Sequence, residues 1–127
     1  MRKDSELNLI LVSLKSKPII FHGVYAEITG SVKAGLLLAQ VIYWDYRMNR
    51  EFYKTDKEFS KELGMKIDEF KSAKKKVSKF VNIRKRGIPP TTYYRLKRDV
   101  LISTLISLVE YADENEELPE VEDTFYE

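Results

Sequence analysis

The sequence predicts a mainly α chain with one small β-hairpin, an α+β fold, and three observations carry that reading. Apolar residues recur at steps of three and four through most of the chain, the helical period. One stretch behaves differently: "VNIRKR" and "TYYRLK" alternate and are β-prone, and they flank "GIPPT", whose two prolines cannot donate to a ladder. That reads as a two-stranded hairpin with a broad tip and a basic rim. A hairpin is marginal alone and must lean on helices. With 127 residues, 43% of them hydrophobic, the chain is sized for one domain with a real core.

The elements follow in order. Leu7, Ile10, Leu11 and Leu14 share one face, so residues 1–16 hold an amphipathic helix. "KPIIFH" has a strand-like centre, and Pro18 puts it at an edge or a strand start. "GVYAEITG" is a short helix closed by Gly30, and Ser31 caps the next, "VKAGLLLAQVIYWDYR", which is apolar on nearly every face and therefore central. "MNREFYK" connects, with room for a short strand. Thr55 with Glu58 forms a capping-box pattern, Phe59 and Leu63 are that helix's core pair, and Gly64 ends it. "MKIDEFKSAKKKVSKF" is the next helix, with Phe70, Ala73, Val77 and Phe80 inward. In the hairpin, Ile83, Tyr94 and Leu96 face inward, with Tyr93, Arg95 and Lys97 outward. "RDVLISTLISLVEYA" is an apolar helix, and residues 110–127 have the composition of a disordered acidic tail.

Helix, short helix–turn–helix and hairpin in that order make a winged helix–turn–helix over residues 17–109. Charge placement adds a function. Residues 66–98 contain twelve Lys/Arg against Asp68 and Glu69, a net +10, while residues 110–127 contain nine acids and no base, −9. A basic block followed by an acidic tail suits a polyanion-binding surface and an interaction segment. With Phe70, Ala73, Val77 and Phe80 inward, Asp68, Ser72, Lys75, Lys76 and Lys79 fall on or near the opposite face and Lys71 at its boundary. The helix starts near Lys66, with Glu69 capping, and its first residues enter a major groove. Lysines without Arg, Asn or Gln favour phosphate contact over base reading. The candidate DNA-binding residues are Lys66, Asp68, Lys71, Ser72, Lys75, Lys76 and Lys79 from the helix, with Arg84, Lys85, Arg86, Thr91, Thr92 and Arg95 from the wing.

On these stretches, "KPIIFHGVYAEITGSVKAGLLLAQVIYW", "FYKTDKEFSKELG" and "SAKKKVSKFVNIRKRGIPPTTYYRL", the chain resembles the winged-helix DNA-binding proteins of phages, plasmids and integrated elements. These are usually described as replication-initiation or replisome-organiser-like. The resemblance covers residues 17–105 and implies double-stranded DNA as partner and replication initiation, or its regulation, as the process. A dimeric transcriptional repressor, paired through the apolar terminal helices, is the alternative. A winged helix without DNA binding, which takes a protein partner through the acidic tail, is the second.

Other chemistry finds little support. There is no cysteine, which excludes disulfides and thiolate chemistry and suits a reducing cytoplasm, here a bacterial host cell or nucleoid. The apolar stretch at residues 34–44 is about half a membrane span, and the charged amino terminus does not read as a secretory signal. His22, the single histidine, reads as satisfied locally rather than as a metal ligand. Trp44, Tyr43 and Tyr46 read as core and rim packing rather than a base-stacking platform. No phosphate-binding glycine loop, nucleophile elbow or metal-spaced cluster occurs, so the expectation is a non-enzyme without cofactor.

Overall fold

The computed structural model describes residues 4–115. They form six helices and one three-stranded antiparallel sheet. The chain divides into two compact units, one ending at Lys97 and one beginning at Arg98.

The first unit opens with α1 (Ser5–Ser13), whose first turn is capped by Asp4 accepting from the Leu7 N–H at 3.1 Å. The expected helical face is present, but none of α1 is buried: Leu7, Ile10, Leu11 and Leu14 are between 39% and 71% exposed. Residues 17–22 form no strand. The apolar run there has no ladder partner, and the Phe21 ring approaches the next helices instead.

Two helices then pack closely. α2 (Gly23–Thr29) ends at Gly30, whose φ of 95° is the left-handed turn that glycine adopts without strain. α3 (Val32–Met48) starts at Ser31, whose hydroxyl accepts from the Ala34 N–H at 3.0 Å. A Cβ at Gly35 would lie 2.7 Å from the Ala26 nitrogen, so only glycine lets α2 lie this close to α3. Ala34, Leu37, Leu38 and Val41 are buried along α3, as its apolar surface requires.

β1 (Phe52–Tyr53) is followed by α4 (Asp56–Glu62) and α5 (Ile67–Val77), then β2 (Val81–Arg86) and β3 (Thr91–Leu96). Thr55 and Glu58 close the capping box of α4, and Gly64, with φ of 69°, turns the chain toward α5. α5 ends at Val77, three residues before its apolar pattern does. There the backbone tightens: Phe80 N–H bonds to the Val77 carbonyl at 2.8 Å and the Phe80 carbonyl accepts from Lys97 at 2.7 Å. Phe80 stays buried, so the inward set is as expected while its last member lies outside the helix.

The sheet order is β1-β3-β2. Phe52 pairs with Tyr94, and Val81, Ile83 and Lys85 pair with Leu96, Tyr94 and Thr92. Phe52, Phe59, Phe70 and Tyr94 form an aromatic core joining sheet, α4 and α5, with Tyr94 stacked on Phe52 at 5.4 Å and edge-on to Phe59 at 5.3 Å. The Tyr94 hydroxyl is buried with no hydrogen-bond partner among the described residues. Burial, and then the charge of Asp56, pushes that phenol far above its ordinary range. Tyr94→Phe removes the desolvated group and keeps the ring, so it is expected to be neutral or to stabilise by about 1 kcal/mol in urea unfolding. A loss above about 1 kcal/mol would show that the hydroxyl is satisfied in the folded protein.

The second unit contains α6 (Arg98–Asn115), which runs past residue 109, where the acidic composition begins. Acids at a helix C-terminus oppose its dipole, but glutamate and alanine are good helix formers, so the charge change did not mark the boundary. Residues 116–127, the rest of the expected tail, lie outside the described residues. No described helix is long and apolar enough to cross a membrane.

Candidate nucleic-acid interface

The start of α5 is fixed by one carboxylate. Glu69 accepts from the Lys66 N–H at 2.9 Å and pairs with Lys33 of α3. The Lys33 bond first, then the Lys66 N–H, holds the Glu69 carboxyl below its ordinary range. Phe70, Ala73 and Val77 are buried, and the turns between them leave Lys66, Asp68, Lys71, Ser72, Lys75, Lys76 and Lys79 exposed.

Strand alternation then decides which wing residues join this helix. Val81, Ile83 and Lys85 lie on the sheet face that α5 covers. The result is a groove of about 450 Å³ between α5 and β2, lined by Asp56, Lys71, Lys74, Lys75, Ser78, Ile83 and Lys85. Lys74 is bound to Asp56 at 2.9 Å. Lys71, Lys75 and Lys85 have no ion-pair partner among the described residues. On the other flank of α5, Asp68, Ser72 and Lys76 share a hollow with Ser31, Lys33 and Glu69.

The remaining wing residues are placed elsewhere. Arg84, Arg86, Thr91 and Arg95 lie on the opposite sheet face, because they alternate with the inward set. Glu51 holds both arginines there, accepting from Arg84 at 2.8 and 3.2 Å and from Arg86 at 2.9 Å. The Arg84 bond is the main reason the Glu51 carboxyl is held low and the Arg84 guanidinium raised. Arg95 lies 3.4 Å from Asp45, which also accepts from the Leu96 N–H at 3.0 Å. Thr92 is withdrawn altogether: it is buried opposite Lys85, and its carbonyl accepts from the Lys54 N–H at 3.3 Å. The expected single basic surface is therefore two surfaces on opposite sides of the wing, and Thr92 is on neither.

No known family model, curated protein or solved structure matches the chain. The residues themselves must carry the functional reading. Three of them were missed from the sequence. Glu51 and Lys54 matter through their places beside β1, whose pairing with β3 joins residues about forty positions apart, a separation at which local pattern is silent. Lys33 reaches α5 from a helix whose apolar character had suggested only burial.

Beside the β1 edge, Trp44 is half-buried, with its Nε1–H donating to Glu62 at 2.7 Å. Gln40 donates to the same carboxylate, and Lys54 pairs with it at 3.0 Å. Burial alone would raise the Glu62 carboxyl, but the bonds from Trp44, Gln40 and Lys54 outweigh it and hold the group ionised. Trp44 is thus half-buried with its ring held in place, whereas Tyr43 and Tyr46 are exposed. Among the described residues no cluster of three His, Asp or Glu is placed to hold a metal.

Proposed function

We propose that this chain is a winged-helix protein that binds double-stranded DNA through α5 and the Lys85 side of the hairpin. The observation that carries the reading is the α5–β2 groove, where Lys71, Lys75 and Lys85 converge with no ion-pair partner among the described residues. The order α3, β1, α4, α5, β2, β3 supports it, since it sets a helix–turn–helix against a hairpin. α5 has eleven residues, about 16 Å at 1.5 Å each, and a single helix fits the major groove. Lysine is a flexible point charge, so these contacts go mainly to phosphate and position the protein on the duplex. Ser72 and Asp68, on the exposed face near the helix start, are the side chains left to discriminate bases. On the motif resemblance, the process served is replication initiation or its regulation in a mobile element.

The test is binding of a labelled duplex of about 20 base pairs, followed by fluorescence anisotropy across a salt series. Three phosphate contacts predict a log–log slope near −2.7, about −0.9 for each. Failure to bind any duplex at 50 mM salt sinks the proposal. The exposed leucines of α1 favour the dimeric-repressor alternative for the same surface. A dimeric mass in solution with a footprint over two half-sites would select it.

A further inference from the structure

We propose that the second basic face of the sheet is a binding site for an unpaired nucleotide in single-stranded nucleic acid, with the base held in the cleft between Trp44, Tyr53 and Tyr93. This site shares only its class of polymer with the duplex reading. It uses different residues, on the opposite side of the wing from the α5 groove.

The cleft has a volume of about 390 Å³ and is lined chiefly by Trp44, Met48, Arg50, Tyr53, Lys54 and Tyr93. That is near the lower end of the range for small-ligand sites, enough for a base and its sugar. Three aromatic residues, Trp44, Tyr53 and Tyr93, contribute to its walls. Tyr53 is 63% exposed although it sits on a strand, and its ring lies 5.6 Å from that of Tyr93 at a 50° tilt. The Arg86 guanidinium stands 4.1 Å over Tyr93, and Lys54 stands 4.3 Å over Trp44. Trp44 cannot turn away, because its Nε1–H is held by Glu62. A set of exposed or cation-backed rings fixed at different angles serves poorly as a core but well as a stacking platform.

The charge around the rings identifies the occupant. Arg50, Lys54, Arg84 and Arg86 face two carboxylates, Glu51 and Glu62, which leaves a net of +2 beside the aromatic walls. Arg84 and Arg86 are two residues apart on one strand face, hence about 6.6 Å along it, close to the step between phosphates in an extended single strand. Aromatic rings for bases beside cations for the backbone are how single strands are bound without sequence preference. Every ring here is bordered by a cation or a hydroxyl, an arrangement that suits a stacked base joined to a polyanionic backbone. The β1 edge also explains why this was hidden in the sequence: Tyr53 meets Tyr93 only through the β1–β3 pairing.

Trp44 is the chain's single tryptophan, so its fluorescence reports on the cleft directly. The experiment titrates the full chain at 50 mM salt with a twelve-residue deoxythymidylate strand, with a duplex, and with polyglutamate of matched charge. Saturable quenching of Trp44 by the single strand is expected, with little from polyglutamate. Tyr53→Ala should weaken single-strand binding about tenfold, Tyr53→Phe should leave it within about twofold, and both should bind duplex like the wild type. Arg50→Ala provides an independent check, with a reduced salt slope and no loss of ring contacts. Absence of quenching, or equal quenching by polyglutamate, overturns the proposal. So does single-strand affinity that survives Tyr53→Ala but falls with the α5 lysines. Quenching that depends on Tyr53 in a protein that binds no duplex would uphold this site and sink the duplex reading alone.

Discussion

Replacing Lys71, Lys75 and Lys85 together with alanine should lower duplex affinity by on the order of a hundred- to a thousand-fold at 100 mM salt. The expectation follows from counterion release. Each lysine on a phosphate displaces about 0.9 of a condensed cation, so at 0.1 M salt each contact contributes close to a factor of ten. Three lost contacts should also flatten the log–log salt slope by about 2.7. These side chains suit the experiment because they are exposed and have no ion-pair partner among the described residues, so their removal strands no paired acid among those residues. Lys74 does not qualify, since its loss would strand Asp56. Arg84→Ala with Arg86→Ala is the informative contrast. Both lie on the far sheet face against Glu51, so duplex affinity should change by less than about threefold. If the arginine pair matters more than the lysine triple, the duplex lies on the other face and the assignment of surfaces is reversed.

That contrast marks the limit of what could be read from the sequence. Local signals were sufficient for α4 and α5. Thr55 and Glu58 announce a capping box in four residues, and Phe70, Ala73 and Val77 announce a buried face in eight. Gly30 and Ser31 likewise mark a stop and a start. Alternation even sorted Tyr94 and Leu96 from Tyr93 and Arg95 correctly. What it could not supply was the register across a tip containing Pro89 and Pro90, which sets Arg84 opposite Tyr93 and Lys85 opposite Thr92. Alternation from the inward Ile83 already separates Lys85 from Arg84 and Arg86; what it could not show is that Glu51, beside β1, holds the two arginines on the far face. The apolar run at residues 17–22 failed for a related reason. Ile19, Ile20 and Phe21 have β-prone side chains, but a strand needs a partner, and the described sheet, β1-β3-β2, does not include them. Long-range pairing, not local propensity, decided each of these cases.

Phe59→Ala should cost about 3–5 kcal/mol, the largest stability loss expected of any single substitution in the first unit. Phe59 of α4 is fully buried at the point where α5, β3 and β1 meet. Its ring lies 5.5 Å from Phe70 of α5, 5.3 Å from Tyr94 of β3 and 6.4 Å from Phe52 of β1. None of these can move in to fill the space. Phe52 and Tyr94 are stacked and tied by backbone pairing, and Phe70 is fixed by a helix whose start is anchored through Glu69 and Lys33. The cavity therefore stays open, and the loss includes both transfer and cavity contributions. For a protein of this size the midpoint of thermal unfolding should fall on the order of 15–25 °C. Phe59→Leu, which keeps most of the volume, should cost less than half as much. The substitution also separates stability from binding. α5 and β2 meet across the groove only while this core holds them, so duplex affinity should follow the folded fraction and recover on cooling, with an unchanged salt slope. A loss below about 1.5 kcal/mol would mean that the ring cluster rearranges to close the gap, and that α4 is not what holds α5 against the sheet.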